Sequence, residues 1–299
     1  MGQLERVKIM SGPVFEGMTE YWTTVDGLRL RYLMGGSGAP LLLVHGIAGF
    51  SFSWRKNFSH LINQFKVLAP DLPGVGYSER SDKLDVSIPG MAKILFRFLD
   101  TAQINSAHIV GSSHGGAVVM EMAAQQPDRI RSMVLVAPVN PYAEKYQGRI
   151  RFMSSSIGQL FMKLAPWTAI PLQRYAIGRM YGDRSKMPTG TAEGYCKPLR
   201  IAGTIPHLLR CFQTWPDDVQ NLRSKFARMS NVPTLFIWGE KDGAVELQSG
   251  ERLRRHFHDS NMVIIPGVGH LPYEEASEEF NEALTTYLAS RQARRPQPA

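Results

Sequence analysis

The chain has 299 residues, 43% hydrophobic and 20% charged, the balance of a globular protein with enough length for one large α/β domain or two smaller ones. No apolar run reaches the length of a membrane span, and Met1 to Gly17 lacks the apolar core of a signal peptide, so a soluble, cytoplasmic protein is expected. Two cysteines, Cys196 and Cys211, are too few for a disulfide framework or a thiolate metal site, and the net charge of +8 comes without the aromatic-interleaved basic stripe of a nucleic-acid-binding module.

In chain order, Tyr21–Val25 and Leu28–Met34 flank Asp26-Gly27, a strong signal for a β-hairpin. Pro40–Val44 is a continuous apolar run suited to a strand buried on both faces, and it ends in His45-Gly46-Ile47-Ala48-Gly49. Trp54, Phe58, Leu61, Ile62 and Phe65 have helical spacing, which predicts a helix over 53–65 before a strand at Val67–Ala69. A turn-rich loop, 70–78, precedes an amphipathic helix over 86–99 with a start signal at Ser87-Ile88-Pro89. A strand at 107–112, a helix at 114–126 and a strand at 131–138 follow, so strand and helix alternate as in a mostly parallel sheet.

From Asn140 to about Ser230 the alternation stops. This segment is Met-rich, aromatic and basic, has helical spacing with no convincing strand, and reads as an inserted, mainly helical subdomain (140–230) within a core made of 1–139 and 231–299. It holds 14 of the 34 Lys and Arg but only 5 of the 26 Asp and Glu, so the positive excess is confined to it. Such a surface suits an anionic substrate, an acidic carrier or an anionic membrane surface, and equally a solvated helical face. The rhythm resumes with a strand ending at Trp238, a helix over 245–256, a strand at 262–265 and a closing helix over 273–288. His256 and His258 are read as the cationic end of the 245–256 helix rather than as metal ligands.

Gly111-Ser112-Ser113-His114-Gly115 sits between the predicted strand at 107–112 and the small-residue helix after it. A G-x-S-x-G pattern in that setting describes a nucleophile elbow, with Ser113 lifted above the sheet end near the positive end of the helix. Taken alone it also fits an ordinary Gly/Ser-rich βα loop. Serine needs a positioned base, and His270, in the turn Gly267–Pro272 after the last strand, is suited to that role. Asp242, just past the strand ending at Trp238, is suited to hold the imidazole in the right tautomer.

The order Ser113, Asp242, His270, with His45-Gly46 after an early strand and the loop Asp71-Leu72-Pro73-Gly74-Val75-Gly76-Tyr77-Ser78, resembles the α/β-hydrolase fold superfamily from Tyr21 to Leu288. The resemblance implies an α/β fold with a mostly parallel, about eight-stranded twisted sheet flanked by helices, the 140–230 insertion serving as cap. It implies Ser113 as nucleophile, His270 as general base and then acid, Asp242 as orienting carboxylate, and an oxyanion hole of the backbone N–H groups of His114 and Ile47, or Ala48 by a slip of one residue. His114 is expected to line or support the pocket, His45 to brace the oxyanion loop, and His60, His108 and His207 to be structural. Haloalkane dehalogenases and epoxide hydrolases of this fold carry Asp at the elbow, so the serine argues against those activities, and Asn140 after the sixth strand is neutral, which favours Asp242 as the acid.

The expectation is therefore a serine hydrolase cleaving a small, apolar carboxylic ester, with an anionic group on it as an elaboration that the basic insertion suits, through an acyl-enzyme, with no metal or organic cofactor implied. Carbon–carbon bond hydrolysis of dienoic keto acids is the alternative, though the 45–49 loop departs from that group's Gly-Pro-Gly style. Lactonase, thioesterase and perhydrolase activities share the same triad, a non-catalytic ligand receptor shares the fold, and lipase action at a membrane surface remains a further reading.

Overall fold

A computed structural model of the chain describes residues 11–168 and 170–293. The chain opens with the hairpin β1 (Thr19–Val25) and β2 (Leu28–Gly35), whose turn residues Asp26 and Gly27 both have positive φ, 52° and 80°. That is the mirror-image turn whose twist matches the flanking strands. β3 (Ala39–Val44) leads to a 3₁₀ turn at Ser51–Trp54, the short helix α1 (Phe58–Leu61) and β4 (Phe65–Pro70).

The continuous helix expected over 53–65 is not formed. Trp54, Phe58, Leu61 and Phe65 are all buried, so the spacing reported burial correctly. The backbone breaks because Phe65 is taken into β4, opposite Ala39, and because the buried Asn57 side chain bonds to Tyr273 O at 3.1 Å and Asn281 Oδ1 at 2.9 Å.

α2 (Ile88–Thr101) begins as its sequence signal requires, the Ser87 hydroxyl accepting the Gly90 N–H with Pro89 in the first turn. β5 (Ala107–Ser112), α3 (His114–Gln125) and β6 (Ile130–Val136) follow. Among the described residues six α-helices then occupy the insertion: α4 (Glu144–Ser154), α5 (Ser156–Leu164), α6 (Ile170–Gly178), α7 (Thr191–Leu199), α8 (Thr204–Asn221) and α9 (Phe226–Met229). β7 (Thr234–Gly239), α10 (Leu247–Arg254), β8 (Ser260–Ile265), α11 (Pro272–Glu275) and α12 (Ser277–Ala293) complete the chain. The single closing helix expected at 273–288 is thus two, interrupted at Ala276, whose φ/ψ of −135°/60° are not helical.

The eight strands form one sheet in the order β1-β2-β4-β3-β5-β6-β7-β8, antiparallel where β2 meets β1 and β4 and parallel elsewhere. Alternation along the central strands divides the core in two. Leu42, Val44, Ile109, Met133, Leu135, Phe236 and Trp238 face α2, α3 and α10, whereas Leu41, Leu43, Val110, Val134, Val136, Leu235 and Ile237 face α1, α11 and α12. Both faces being covered is what lets these strands read as unbroken apolar runs.

Among the described residues the insertion contains no strand, and its last turn, Leu222–Met229, packs on α3, with Lys225 Nζ 2.8 Å from both carboxylate oxygens of Glu121. Cys196 and Cys211 are both buried and free.

Candidate active site

Ser113 joins β5 to α3 with φ 52° and ψ −118°, a conformation that L residues other than glycine adopt only under strain. The strain is held by its own backbone: Ser113 N–H donates to Val136 O at 2.9 Å, and its carbonyl accepts from Gly116 and Val139, both at 3.0 Å. The two flanking glycines are needed for different reasons. A Cβ on Gly111 would lie 2.6 Å from Gly115 O, across the elbow, whereas one on Gly115 would lie 2.3 Å from His45 O, on the end of β3. Ser112 turns the other way, its hydroxyl 3.5 Å from Tyr273 OH.

The end of β3 passes over Ser113 so closely that a Cβ on Gly46 would come within 3.2 Å of the serine Cβ. This turn is built from within. Gly49 N–H closes it onto Gly46 O at 3.1 Å, with Ala48 at φ 57°, and that closure leaves the Ile47 and Ala48 N–H groups unused by the turn. His45 braces it as expected. Its Nε2 accepts the Leu72 N–H at 2.9 Å, which puts the ring proton on Nδ1, donated to Gly46 O at 2.8 Å. Burial lowers the His45 pKa and keeps that tautomer neutral.

Asp71, fully buried, fixes the neighbouring loop by accepting from the Ser51 N–H at 2.8 Å and the Tyr77 N–H at 2.9 Å, with Arg31 Nη1 at 3.2 Å. Arg31 is itself fully buried and also holds Ser51 Oγ, Pro13 O and Glu20. Across the rim, the N–H of His114, first residue of α3, has no acceptor within its own helix.

The chain brings Asp242 and His270 together across 28 positions: Asp242 Oδ2 lies 2.8 Å from His270 Nδ1. Asp242 cannot turn away, because its Oδ1 accepts the N–H groups of Ala244 at 2.7 Å and Val245 at 3.0 Å. These two bonds also shorten the helix expected from Val245 to one beginning at Leu247. Asn140, by contrast, is spent on structure, its side chain bonded to Pro138 O, Ser249 Oγ and Tyr142 N.

The His270 loop is clamped to the insertion. His270 N–H donates to Met180 O at 2.6 Å, and the Glu275 carboxylate accepts the N–H groups of Gly269 (2.7 Å), Gly182 (2.8 Å) and Asp183 (2.7 Å). Glu274, also buried, takes Arg55 at 2.8 Å, Tyr181 OH at 2.6 Å and the hydroxyl of Tyr195. Neither glutamate was singled out in the sequence, where Glu274-Glu275 has the look of an acidic first turn.

Beside the elbow lies a narrow, mainly apolar recess whose walls include Ile47, Leu72, Val75, Met91, His114, His207 and Cys211. His114 does line it, its ring centroid 4.5 Å from that of Trp215, and burial, with His45 and His207 nearby, takes its pKa down to about 3. His207 was expected to be merely structural, yet α8 carries it into the same wall. Its Nε2 is 3.5 Å from Cys211 Sγ, its Nδ1 has no hydrogen-bond partner among the described residues, and burial, then Arg210 and Arg80, lower its pKa to about 4. Burial pushes the Cys211 thiol up to about 12, which keeps it protonated at neutral pH. No local motif marks these residues, because they enter from a segment nearly a hundred positions from the elbow. His256 and His258 are occupied by Tyr142 OH at 2.6 Å and Asn231 Oδ1 at 2.9 Å.

A family model for the alpha/beta hydrolase fold matches residues 39–164, and one for TAP-like proteins matches residues 202–297. The chain is 41% identical over 268 residues to the dihydrolipoyllysine-residue acetyltransferase component of the acetoin cleaving system of Cupriavidus necator, covering 88% of this chain and 67% of that one. It is 29% identical over 280 residues to haloalkane dehalogenase 2 of Mycobacterium tuberculosis, covering 88% and 92%. In three dimensions it is similar to the 2-hydroxy-6-oxo-6-phenylhexa-2,4-dienoate hydrolase of a Rhodococcus species, with a TM-score of 0.75 at 19% identity over 91% of this chain and 99% of that one. With the sheet order, the strained elbow and the matched sequence in agreement, the chain belongs to the α/β-hydrolase fold superfamily.

Proposed function

We propose that the protein is a serine hydrolase that cleaves a carboxylic ester through an acyl-enzyme. The observation that carries this reading is the Asp242–His270 pair at 2.8 Å, at the same C-terminal end of the parallel strands as a strained serine elbow. Ser113 Oγ attacks the ester carbonyl as His270 Nε2 takes its proton, and the tetrahedral oxyanion receives the backbone N–H groups of His114 and Ile47. On collapse His270 passes that proton to the departing alcohol. Water, deprotonated by the same nitrogen, then attacks the acyl-enzyme, giving the free acid and returning the proton to Ser113.

The 140–230 insertion acts as the cap, and its neutral His207 and apolar neighbours receive an uncharged part of the substrate. Asp242 would stabilise the imidazolium, and the elbow residue, Ser113, stands where haloalkane dehalogenases carry Asp, which supports ester over carbon–halogen cleavage.

A fluorophosphonate probe tests this directly. Wild-type protein is expected to be labelled and to hydrolyse p-nitrophenyl esters without releasing halide from chloroalkanes, and Ser113→Ala is expected to lose both labelling and hydrolysis. A folded wild type that resists the probe, or a Ser113→Ala variant that keeps its esterase rate, overturns the proposal.

A further inference from the structure

The insertion presents an apolar surface that the fold does not use. Of the twelve large apolar side chains exposed among the described residues, nine fall between Phe152 and Tyr175. Ile157, Leu160, Phe161 and Leu164 follow the i, i+3, i+4, i+7 spacing of one helical face of α5, with Ile157 74% exposed. The helix is seated by its opposite side, through buried Gly158 and partly buried Met162. Trp167, 67% exposed, and Leu172 of α6 extend the surface. A cluster of this size on a monomer marks a place where something docks.

Its charge points to what docks there. From Lys145 to Gly182 the sequence has six Lys and Arg and no Asp or Glu. Lys163, on α5, and Arg179, just beyond α6, are exposed, and the Arg184 guanidinium stands 4.9 Å from the Tyr175 ring centroid. Apolar and aromatic side chains rimmed by cations, with Asp183 beside Arg184 as the one acid next to them in the sequence, match an anionic bilayer: the side chains enter the acyl boundary while the cations remain among the headgroups. A second copy of the chain fits worse, since an isologous contact sets this positive surface against itself.

We infer that the α5–α6 face docks the protein on an anionic lipid surface. This stands on the surface alone and is independent of the reaction proposed above. It has a consequence for position, because α6 ends two residues before Met180, whose carbonyl holds the His270 N–H. Docking therefore brings the edge of the site to the lipid.

The test is co-sedimentation of the full chain with vesicles of phosphatidylcholine alone or mixed with phosphatidylglycerol, together with tryptophan emission. Binding is expected only with phosphatidylglycerol, weakening by on the order of tenfold as salt rises from low to physiological strength. A blue shift of the emission is expected, and Trp167→Phe is expected to abolish it. Leu160→Asp/Phe161→Asp is expected to bind at least about tenfold more weakly, with unchanged circular dichroism. Should that variant misfold, Lys163→Glu/Arg179→Glu serves instead and is expected to lose binding to a similar degree. Equal binding to both vesicles, binding to neither, or salt-insensitive binding overturns the inference. So does a dimer in sedimentation velocity that both variants dissociate while lipid binding stays unchanged.

Discussion

At the scale of single residues, the candidate site depends on how one carboxylate divides its two oxygens. Asp242 gives Oδ1 to two backbone N–H donors and Oδ2 to His270 Nδ1. In Asp242→Asn the amide oxygen is claimed by the Ala244 and Val245 N–H groups, so the amide NH₂ faces the imidazole. Nδ1 must then accept, the ring proton moves to Nε2, and His270 can no longer take a proton from Ser113. The expected loss in kcat is about 10⁴-fold with the fold intact, measured by steady-state hydrolysis of a soluble ester beside a circular dichroism spectrum. A loss below about tenfold would mean that His270 is not the base.

At the scale of elements, the loop that carries His270 is tied both to the core, through Lys241 N–H to Val268 O and Gly267 N–H to the Glu240 carboxylate, and to the insertion, through His270 N–H to Met180 O. Glu275 gathers three N–H groups from two segments, and Glu275→Gln retains the shape while turning an NH₂ toward those donors. Leaving buried donors unpaired costs about 1–3 kcal/mol, so the melting temperature is expected to fall by several degrees. The kcat is expected to fall with it, as the His270 loop loosens, and an unchanged kcat in a variant with lowered stability would show that the clamp serves folding alone.

This pattern also explains what the sequence could and could not reveal. The hairpin, the elbow, the Ser87 cap and the Asp242–His270 pairing rest on local signals or on a fixed order along the chain, and all were readable. The spacing over 53–65 does not yield one helix because Phe65 is taken by a strand partner that periodicity does not register. His207, Cys211, Glu274 and Glu275 were missed because their roles arise only when α8 and the 180–183 segment fold back on the sheet edge.

At the scale of the whole molecule, the recess concentrates groups that must stay uncharged. His114 and His207 have pKa values near 3 and 4, His45 is also lowered, and in each case burial is the first cause. An unfolded histidine titrates near 6.5, so as pH falls below that value the unfolded chain takes up protons that the native state refuses. The stability these residues lend is fully present above pH 6.5 and is lost progressively as pH falls toward 4 and then 3. His114 and His207 each contribute a slope of up to about 1.4 kcal/mol per pH unit, and the two acting together are a large share of an ordinary folding free energy of about 5–15 kcal/mol. Urea unfolding at a series of pH values is therefore expected to show a plateau above pH 7 and a steep decline between pH 6 and 4. Proton uptake on unfolding near pH 5 is expected to approach two from His114 and His207, with His45 adding to it in the same direction. His207→Gln, which keeps a polar side chain of similar reach but cannot titrate, is expected to reduce that uptake by about one proton and flatten the decline. A stability that is flat from pH 7 to pH 5, or a His207→Gln variant with the wild-type slope, would show that the recess does not hold its histidines neutral.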